Sequence, residues 1–157
     1  MEVREATASD WESIWPFFRE IVRAGETYAY DPEITESDAR EMWMVGPPGV
    51  TFAAVADGDV IGSANAYANR PGPGDHVASA SFMVDPARAG RGAGRALGEA
   101  VLDWATAAGF DAMQFNAVVE TNERAVGLWR SLGFEVIGTV PGAFRLPDGA
   151  FTGLHVM

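Results

Sequence analysis

The stretch Val84-Asp85-Pro86-Ala87-Arg88-Ala89-Gly90-Arg91-Gly92-Ala93-Gly94-Arg95-Ala96-Leu97 constrains this chain more than any other. An apolar strand runs into it and an amphipathic helix runs out of it. Between them lies a turn of glycine and arginine. The first turn of a helix leaves main-chain N–H groups unpaired, and the helix dipole adds partial positive charge there. Gly90, Gly92 and Gly94 carry no Cβ, so a phosphate can approach the main chain closely. Arg88, Arg91 and Arg95 place three cations around the same turn. The stretch reads as a grip for a polyphosphate-bearing cofactor. The competing reading is a solvated helix start with ordinary surface arginines.

Composition narrows the chemistry. The formal net charge is −11, which argues against a nucleic-acid partner. The chain has no cysteine, so disulfides, thiolate metal sites and a cysteine nucleophile are excluded, and no metal site is expected. It also has no lysine, which removes a lysine base or Schiff-base former. No apolar run approaches a membrane span, and no signal-peptide pattern opens the chain. No membrane partner is expected, and the expected location is cytoplasmic.

Taken in order, Glu2 to Ala6 reads as a strand, followed by an amphipathic helix carrying Trp11, Ile14, Trp15, Phe18, Ile21 and Val22. Gly25 to Pro32 reads as a loop. Its Glu26 and Tyr28 either line a substrate pocket or pack over the sheet edge. Thr35-Glu36-Ser37-Asp38 resembles a capping box for a second helix through Trp43. Thr51 to Ala56 and Val60 to Ala68 flank Asp57-Gly58-Asp59, a hairpin signal. His76 to Val84 is the next strand, and the helix after the glycine turn runs to about Ala108. Ala112 to Val118 reads as a strand buried on both faces. A helix over Asn122 to Leu132 follows, then closing strands over Glu135 to Val140 and Phe151 to Met157, with Pro141-Gly142 as their turn.

That order, β-α-α-β-β-β-α-β-α-β-β, predicts an α/β fold. Its central sheet is mixed and mostly antiparallel, with helices on both faces and at least one parallel strand pair. One domain over residues 1–157 is expected.

Three phosphate grips can be compared. A nucleoside-triphosphate loop needs a lysine that the chain lacks. A dinucleotide fingerprint needs glycine where Arg95 stands. The third resembles the cofactor loop of the GCN5-related N-acetyltransferase (GNAT) superfamily, Arg/Gln-x-x-Gly-x-Gly/Ala, here Ala89-Gly90-Arg91-Gly92-Ala93-Gly94. A second signature of that superfamily is similar to Asn122 followed by Leu128-Trp129-Arg130-Ser131-Leu132-Gly133-Phe134. The resemblance covers nearly the whole chain, and Val84 to Phe134 carries most of it. Phe115 to Asn122 and Gly138 to Arg145 look like the branch of azetidine-2-carboxylate and phosphinothricin acetyltransferases.

The resemblance implies the acyl-CoA N-acyltransferase fold and acetyl-CoA as cofactor. The main chain of Met83 and Val84 would pair with the pantetheine arm. Ala89, Gly90, Arg91, Gly92, Ala93 and Gly94 would hold the pyrophosphate, and Asn122 the pantetheine or thiol end. It implies N-acetyl transfer to a small-molecule amine, an amino acid or its analogue being favoured, with a peptide or aminoglycoside amine as rival. A non-catalytic acyl-CoA-binding or sensing module is the alternative. A homodimer is a further expectation, with the aromatic first helix as a face. Three positions depart from the pattern: Ala89 replaces arginine or glutamine, Trp129 replaces the usual tyrosine acid, and Ser79 replaces a carboxylate or asparagine.

With no cysteine or lysine to carry the acetyl group, the amine must attack directly. Glu26, Asp75, His76 and Glu120 are candidates to take its proton through water. Asn116 interrupts an apolar strand, where a buried amide needs partners. It is either tied to neighbouring main chain or orients the acceptor. Asn116, Glu120 and His76 form the expected catalytic set. Glu26, Tyr28, Ser79, Asn116 and Arg145 form the expected acceptor site, Arg145 or Arg70 gripping a substrate carboxylate.

Overall fold

A computed structural model describes all 157 residues. The strands fall into two sheets with one seam between them. In the first, β1 (Glu2–Glu5), β2 (Val50–Ala56), β3 (Asp59–Ala68), β4 (Val77–Val84) and β5 (Ala112–Met113) lie in chain order. The first three pairings are antiparallel, and β4 pairs β5 in parallel. The second sheet has the order β6 (Val118–Val119), β8 (Phe151–Val156), β7 (Gly138–Arg145).

The helices α1 (Trp11–Ala24) and α2 (Glu36–Trp43) cover one face of the first sheet. Trp11, Ile14, Phe17, Phe18 and Val22 of α1 pack there with Ala39, Trp43 and Met83. The aromatic face of α1 is therefore mostly core, with Trp15 and Ile21 partly buried at its margin. The opposite face carries α3 (Ala93–Ala107), whose Ala93, Leu97 and Val101 pack on Phe52, Ala54, Ala64 and Ala66. Burying each large apolar side chain contributes about 1.5–3 kcal/mol. The last helix, α4 (Glu123–Ser131), seats Val126 and Trp129 against Phe115 and Met157.

The helix ends follow their sequence signals. Gly25 adopts φ +65° after α1 and bonds back to Val22. The Thr35 hydroxyl accepts from the Asp38 N–H at the start of α2. Ahead of α1, Asp10 accepts from both guanidinium nitrogens of Arg4 at 2.8 Å and from the Thr7 N–H at 2.6 Å.

Two expectations need correction. Ala112 to Val118 is not one strand. After the Gln114 N–H bonds the Ala78 carbonyl at 2.8 Å, the chain changes partner: Phe115 exchanges both main-chain bonds with Met157, at 2.8 and 3.0 Å. The Phe115 ring anchors that switch, stacked on Phe134 at 4.2 Å and packed on Trp129 at 4.9 Å. Val118–Val119 then joins β8. Pro141-Gly142 is likewise no turn between strands. It lies within β7, where the register slips between Val140 and Phe144, and the reversal comes at Leu146–Ala150.

Candidate active site

The seam opens between β4 and the segment after Gln114. Beyond the Gln114–Ala78 bond no main-chain bond joins them. Strand parity fixes what faces the gap. The Asp85 N–H points to Ile61 of β3, and the Ala78 carbonyl points to Gln114. Main-chain groups alternate sides along a strand. Ala80, Phe82 and Val84 therefore turn their N–H and C=O toward the seam, while Met83 faces Ser63 across the β3 ladder. This corrects the expectation for Met83: its main chain is spent on β3, and its side chain is buried under α1. On the seam side, the main chain of Ala80 and Val84 carries no bond to another strand.

A cleft of about 980 Å³ passes through this gap. The side chains along its walls also follow parity. Ser79, Ser81 and Met83 project toward the α1 side, with Tyr67 of β3. Ala80, Phe82 and Val84 project toward α3 and α4. The cleft thus has two mouths on opposite faces of the sheet.

At the α3 mouth the glycine turn is built as expected, with one change. Gly90 and Gly92 both adopt φ +85°, a region that disfavours any Cβ, and the space before them is open. Gly92 is the N-cap of α3 and brings no side chain to cap it, so the first-turn N–H groups are left for a ligand. Gly94 is needed for a different reason: a Cβ there would lie 3.2 Å from Leu128 Cδ2. Ala89, Ala93 and Asn122 line the same cleft. The Asn122 Oδ1 caps α4 by accepting from the Ala125 N–H. Two of the arginines, however, point elsewhere. Arg91 donates to Asp57 at 2.6 Å and Arg88 to Asp59 at 2.8 Å, both carboxylates of the hairpin turn. The Arg91 guanidinium lowers the pKa of Asp57. Of the three arginines only Arg95 lines the cleft, and it donates to Ser131 at 2.7 Å. The turn thus offers main-chain N–H groups and a helix terminus to the cleft, and Arg91 braces the loop from outside.

At the α1 mouth stand all three tyrosines of the chain, Tyr28, Tyr30 and Tyr67, with Ser79, Ser81, Glu20 and Glu26. The Tyr28 hydroxyl donates to the Phe82 carbonyl at 2.6 Å and accepts from the Phe82 N–H at 2.9 Å. It therefore seals one residue of the open strand edge. Burial, with Tyr30 close by, pushes the Tyr28 hydroxyl well above its ordinary pKa; Tyr30 is raised for the same reason. Ser79 is 3% exposed, opens on the cleft and makes no side-chain hydrogen bond.

The expected catalytic set is not brought together. Asn116 lines the cleft rim but is exposed, because its segment leaves the sheet. Its amide donates to Asn69 Oδ1 at 2.7 Å and accepts from Gln114 at 2.9 Å. Glu120 lies outside the cleft and accepts from the Gly153 N–H at 3.0 Å. His76 is exposed at the far end of β4, also outside it. Arg145 stacks over Phe151 at 5.3 Å, and Arg70 donates to the Asn69 carbonyl; neither reaches the cleft. Of the expected acceptor residues, Glu26, Tyr28, Ser79 and Asn116 line the cleft and Arg145 does not. Trp129 is buried against Phe82 at 4.5 Å, packed as core beside the cleft.

A split mixed sheet with a glycine-rich helix start at one mouth defines the acyl-CoA N-acyltransferase fold. The profile of the acetyltransferase (GNAT) family matches residues 11–134, and the chain belongs to that family. It is similar to a GCN5-related N-acetyltransferase from Kribbella flavida, with 64% identity over 99% of this chain and 95% of that one, at a TM-score of 0.96. A phosphinothricin acetyltransferase from Sinorhizobium meliloti, solved in complex with AcCoA, is 26% identical over 99% of this chain and 85% of its own, at a TM-score of 0.90. The N-acetyltransferase aca1 of Schizosaccharomyces pombe is 27% identical over 145 residues, spanning 83% of this chain and 69% of that protein.

Proposed function

We propose that the chain is a single acetyltransferase domain that moves an acetyl group from acetyl-CoA to the amine of a small molecule by direct attack. The observation that carries this reading is the cleft through the sheet seam. One mouth has an anion cradle and the other a polar pocket. The residues present suit the cofactor: two glycines at φ +85° with open space before them, uncapped N–H groups at α3, and a strand edge free at Ala80 and Val84. The likeness to a phosphinothricin acetyltransferase supports a small acceptor.

When bound, acetyl-CoA supplies an acetyl group activated as a thioester. The turn Ala89 to Gly94 and the α3 terminus hold the pyrophosphate. Ala80 and Val84 offer main-chain partners to the arm, and Asn122 offers its amide. Glu20 and Glu26 are the carboxylates at the acceptor mouth and take the amine proton through water. Trp129 cannot act as acid, since indole only donates an N–H. The Tyr28 hydroxyl already donates its hydrogen bond to the Phe82 carbonyl. A thiol ionises near pH 8.5, so departure of sulfur needs no strong acid.

The test is thiol release from acetyl-CoA with a panel of amino acids, alkylamines, aminoglycosides and short peptides. Turnover on a small amine supports the proposal. Turnover confined to peptides, or tight binding of acetyl-CoA with no turnover at all, would overturn it.

A further inference from the structure

We infer that the acceptor is a cationic amine carrying no carboxylate beside its reacting nitrogen: an alkyl or aralkyl amine, or an amino-acid amide, and not a free α-amino acid. This rests on the acetyl-transfer reading above. The argument starts from how charge divides between the two mouths. The four ionised side chains that line the cleft sort by side of the sheet. Arg95 and Arg124 belong to α3 and α4, where the helix termini add positive potential. Glu20 and Glu26 belong to α1 and the turn after it. No arginine or histidine lines the α1 mouth, and the chain has no lysine.

A free α-amino acid places its carboxylate two bonds from the nucleophilic nitrogen. That carboxylate would have to leave water beside the tyrosine and serine hydroxyls and two glutamates. An anion taken from water needs charge-assisted donors to offset desolvation. The uncommitted donors at this mouth are neutral hydroxyls, of Thr27, Tyr30, Tyr67, Ser79 and Ser81, and none is a cation that would offset the two glutamates. The Asn116 amide is held by Asn69 and Gln114, and the Tyr28 hydroxyl is held at both ends by Phe82. The arginines expected to grip a carboxylate, Arg145 and Arg70, lie outside the cleft.

An ammonium finds the opposite. Two carboxylates stand at the entrance. Tyr28 and Tyr30 are stacked with centroids 5.0 Å apart, and aromatic faces attract cations. Ser79 is 97% withdrawn from solvent, faces the cleft and has a lone pair that nothing in the chain uses. It accepts from the amine once the group has entered. The net charge of −11 steers cations to the protein from a distance. The proton balance also suits this lining. As the N–C bond forms and the C–S bond breaks, the ammonium gives up two protons. One ends on the leaving sulfur with its electron pair; the other passes by water and Glu20 or Glu26 to solvent.

The experiment compares matched pairs by thiol release: tyramine with tyrosine, isoamylamine with leucine, phenylalanine amide with phenylalanine. In each pair the member without the carboxylate is expected to have a kcat/KM at least about tenfold higher, equivalent to 1.4 kcal/mol. Preference for the free acids overturns this inference and leaves acetyl transfer standing. If no member of any pair releases thiol, the small-molecule reading falls with it. The double variant Glu20→Gln, Glu26→Gln, measured on the best amine, is expected to raise KM severalfold. Calorimetry should find its Kd for acetyl-CoA unchanged, since both residues stand at the other mouth. An unchanged KM overturns the role of the carboxylates.

Discussion

Tyr28→Phe isolates the hydroxyl that seals the seam. The ring stays: it still stacks on Tyr30 at 5.0 Å and meets Trp43 edge-on at 6.4 Å. What is lost is a donor to the Phe82 carbonyl and an acceptor for the Phe82 N–H. Two net hydrogen bonds at about 0.5–1.5 kcal/mol each sum to about 1–3 kcal/mol. Phe82 borders a cleft that water enters, so part is recovered, and we expect a loss of about 1–2 kcal/mol. Urea unfolding at neutral pH measures it. The pH dependence supplies a second, independent reading. In the folded chain Tyr28 titrates above its ordinary value of 10, because it is buried. A raised folded pKa on an acid that is neutral when protonated contributes stability in full below the unfolded pKa. That stability is lost as pH rises above it. Wild type should therefore lose about 1.4 kcal/mol per pH unit above about pH 10 from this group alone. The variant has no such group, so the gap between the two should narrow there. A variant within about 0.5 kcal/mol of wild type at pH 7, the range of an inconsequential surface change, would refute the sealing role. So would a gap that stays constant across the alkaline limb.

Three further outcomes follow from the same geometry. Gly92→Val should cost about 1–2 kcal/mol of stability from its left-handed backbone and weaken acetyl-CoA binding at least about tenfold by calorimetry. Gly58→Ala bears similar strain at φ +88° in the hairpin turn, away from the cleft, and should leave that affinity intact; equal losses in both variants would refute the cradle. Asp10 is held below its ordinary pKa chiefly by hydrogen bonds from Arg4, so its contribution is present above the unfolded value and lost as pH falls. Wild type should thus lose more stability than Asp10→Asn on acidification from pH 5, followed by urea midpoints at stepped pH. Trp129→Phe should cost about 1–3 kcal/mol of packing against Phe82 and Phe115 yet leave the shape of the kcat–pH profile unchanged; a shifted limb would give the indole a part in proton transfer.

How much was legible in the sequence depends on whether a feature is local. The donor end is local. One continuous stretch supplies the strand, the glycines at φ +85° and the uncapped start of α3, so it could be read residue by residue. Even there, the partners of Arg88 and Arg91 came from the hairpin Asp57-Gly58-Asp59, some thirty residues away in the chain, and no periodicity announces such a pairing. The capped short helix α2 and the hairpin were legible for the same local reason. Beyond that range the reading weakened. The alternation of Ser79, Ser81 and Met83 against Ala80, Phe82 and Val84 is plain in the sequence. Which set turns its main chain to the seam depends on β3 being on one side and nothing on the other. That is a property of the sheet, and it turns the main chain of Ala80 and Val84, not that of Met83, to the open seam.

The acceptor mouth is the least local part of the molecule. It draws on the end of α1, the turn after it, the end of β3 and the middle of β4. Each contributes one or two polar residues that are unremarkable in their own segment. Tyr67 and Ser81 carry no motif, and Glu20 reads as an ordinary exposed helix residue. Asn116 carried a signal that misled: a polar residue in an apolar run is informative only if the run stays in the sheet, and this one leaves it at Phe115. The division of charge could not be seen from composition either. A chain with net charge −11 can place its carboxylates anywhere on the surface. That two of them stand at one mouth of the cleft, with arginines kept to the other, is set by which helices cover each face of the sheet. The parity of β4 that leaves its edge open also decides which of its side chains, Ser79 and Ser81 or Ala80 and Val84, line each mouth. For this reason a change at Tyr28, which touches both, is the sharpest probe of how the two mouths are coupled.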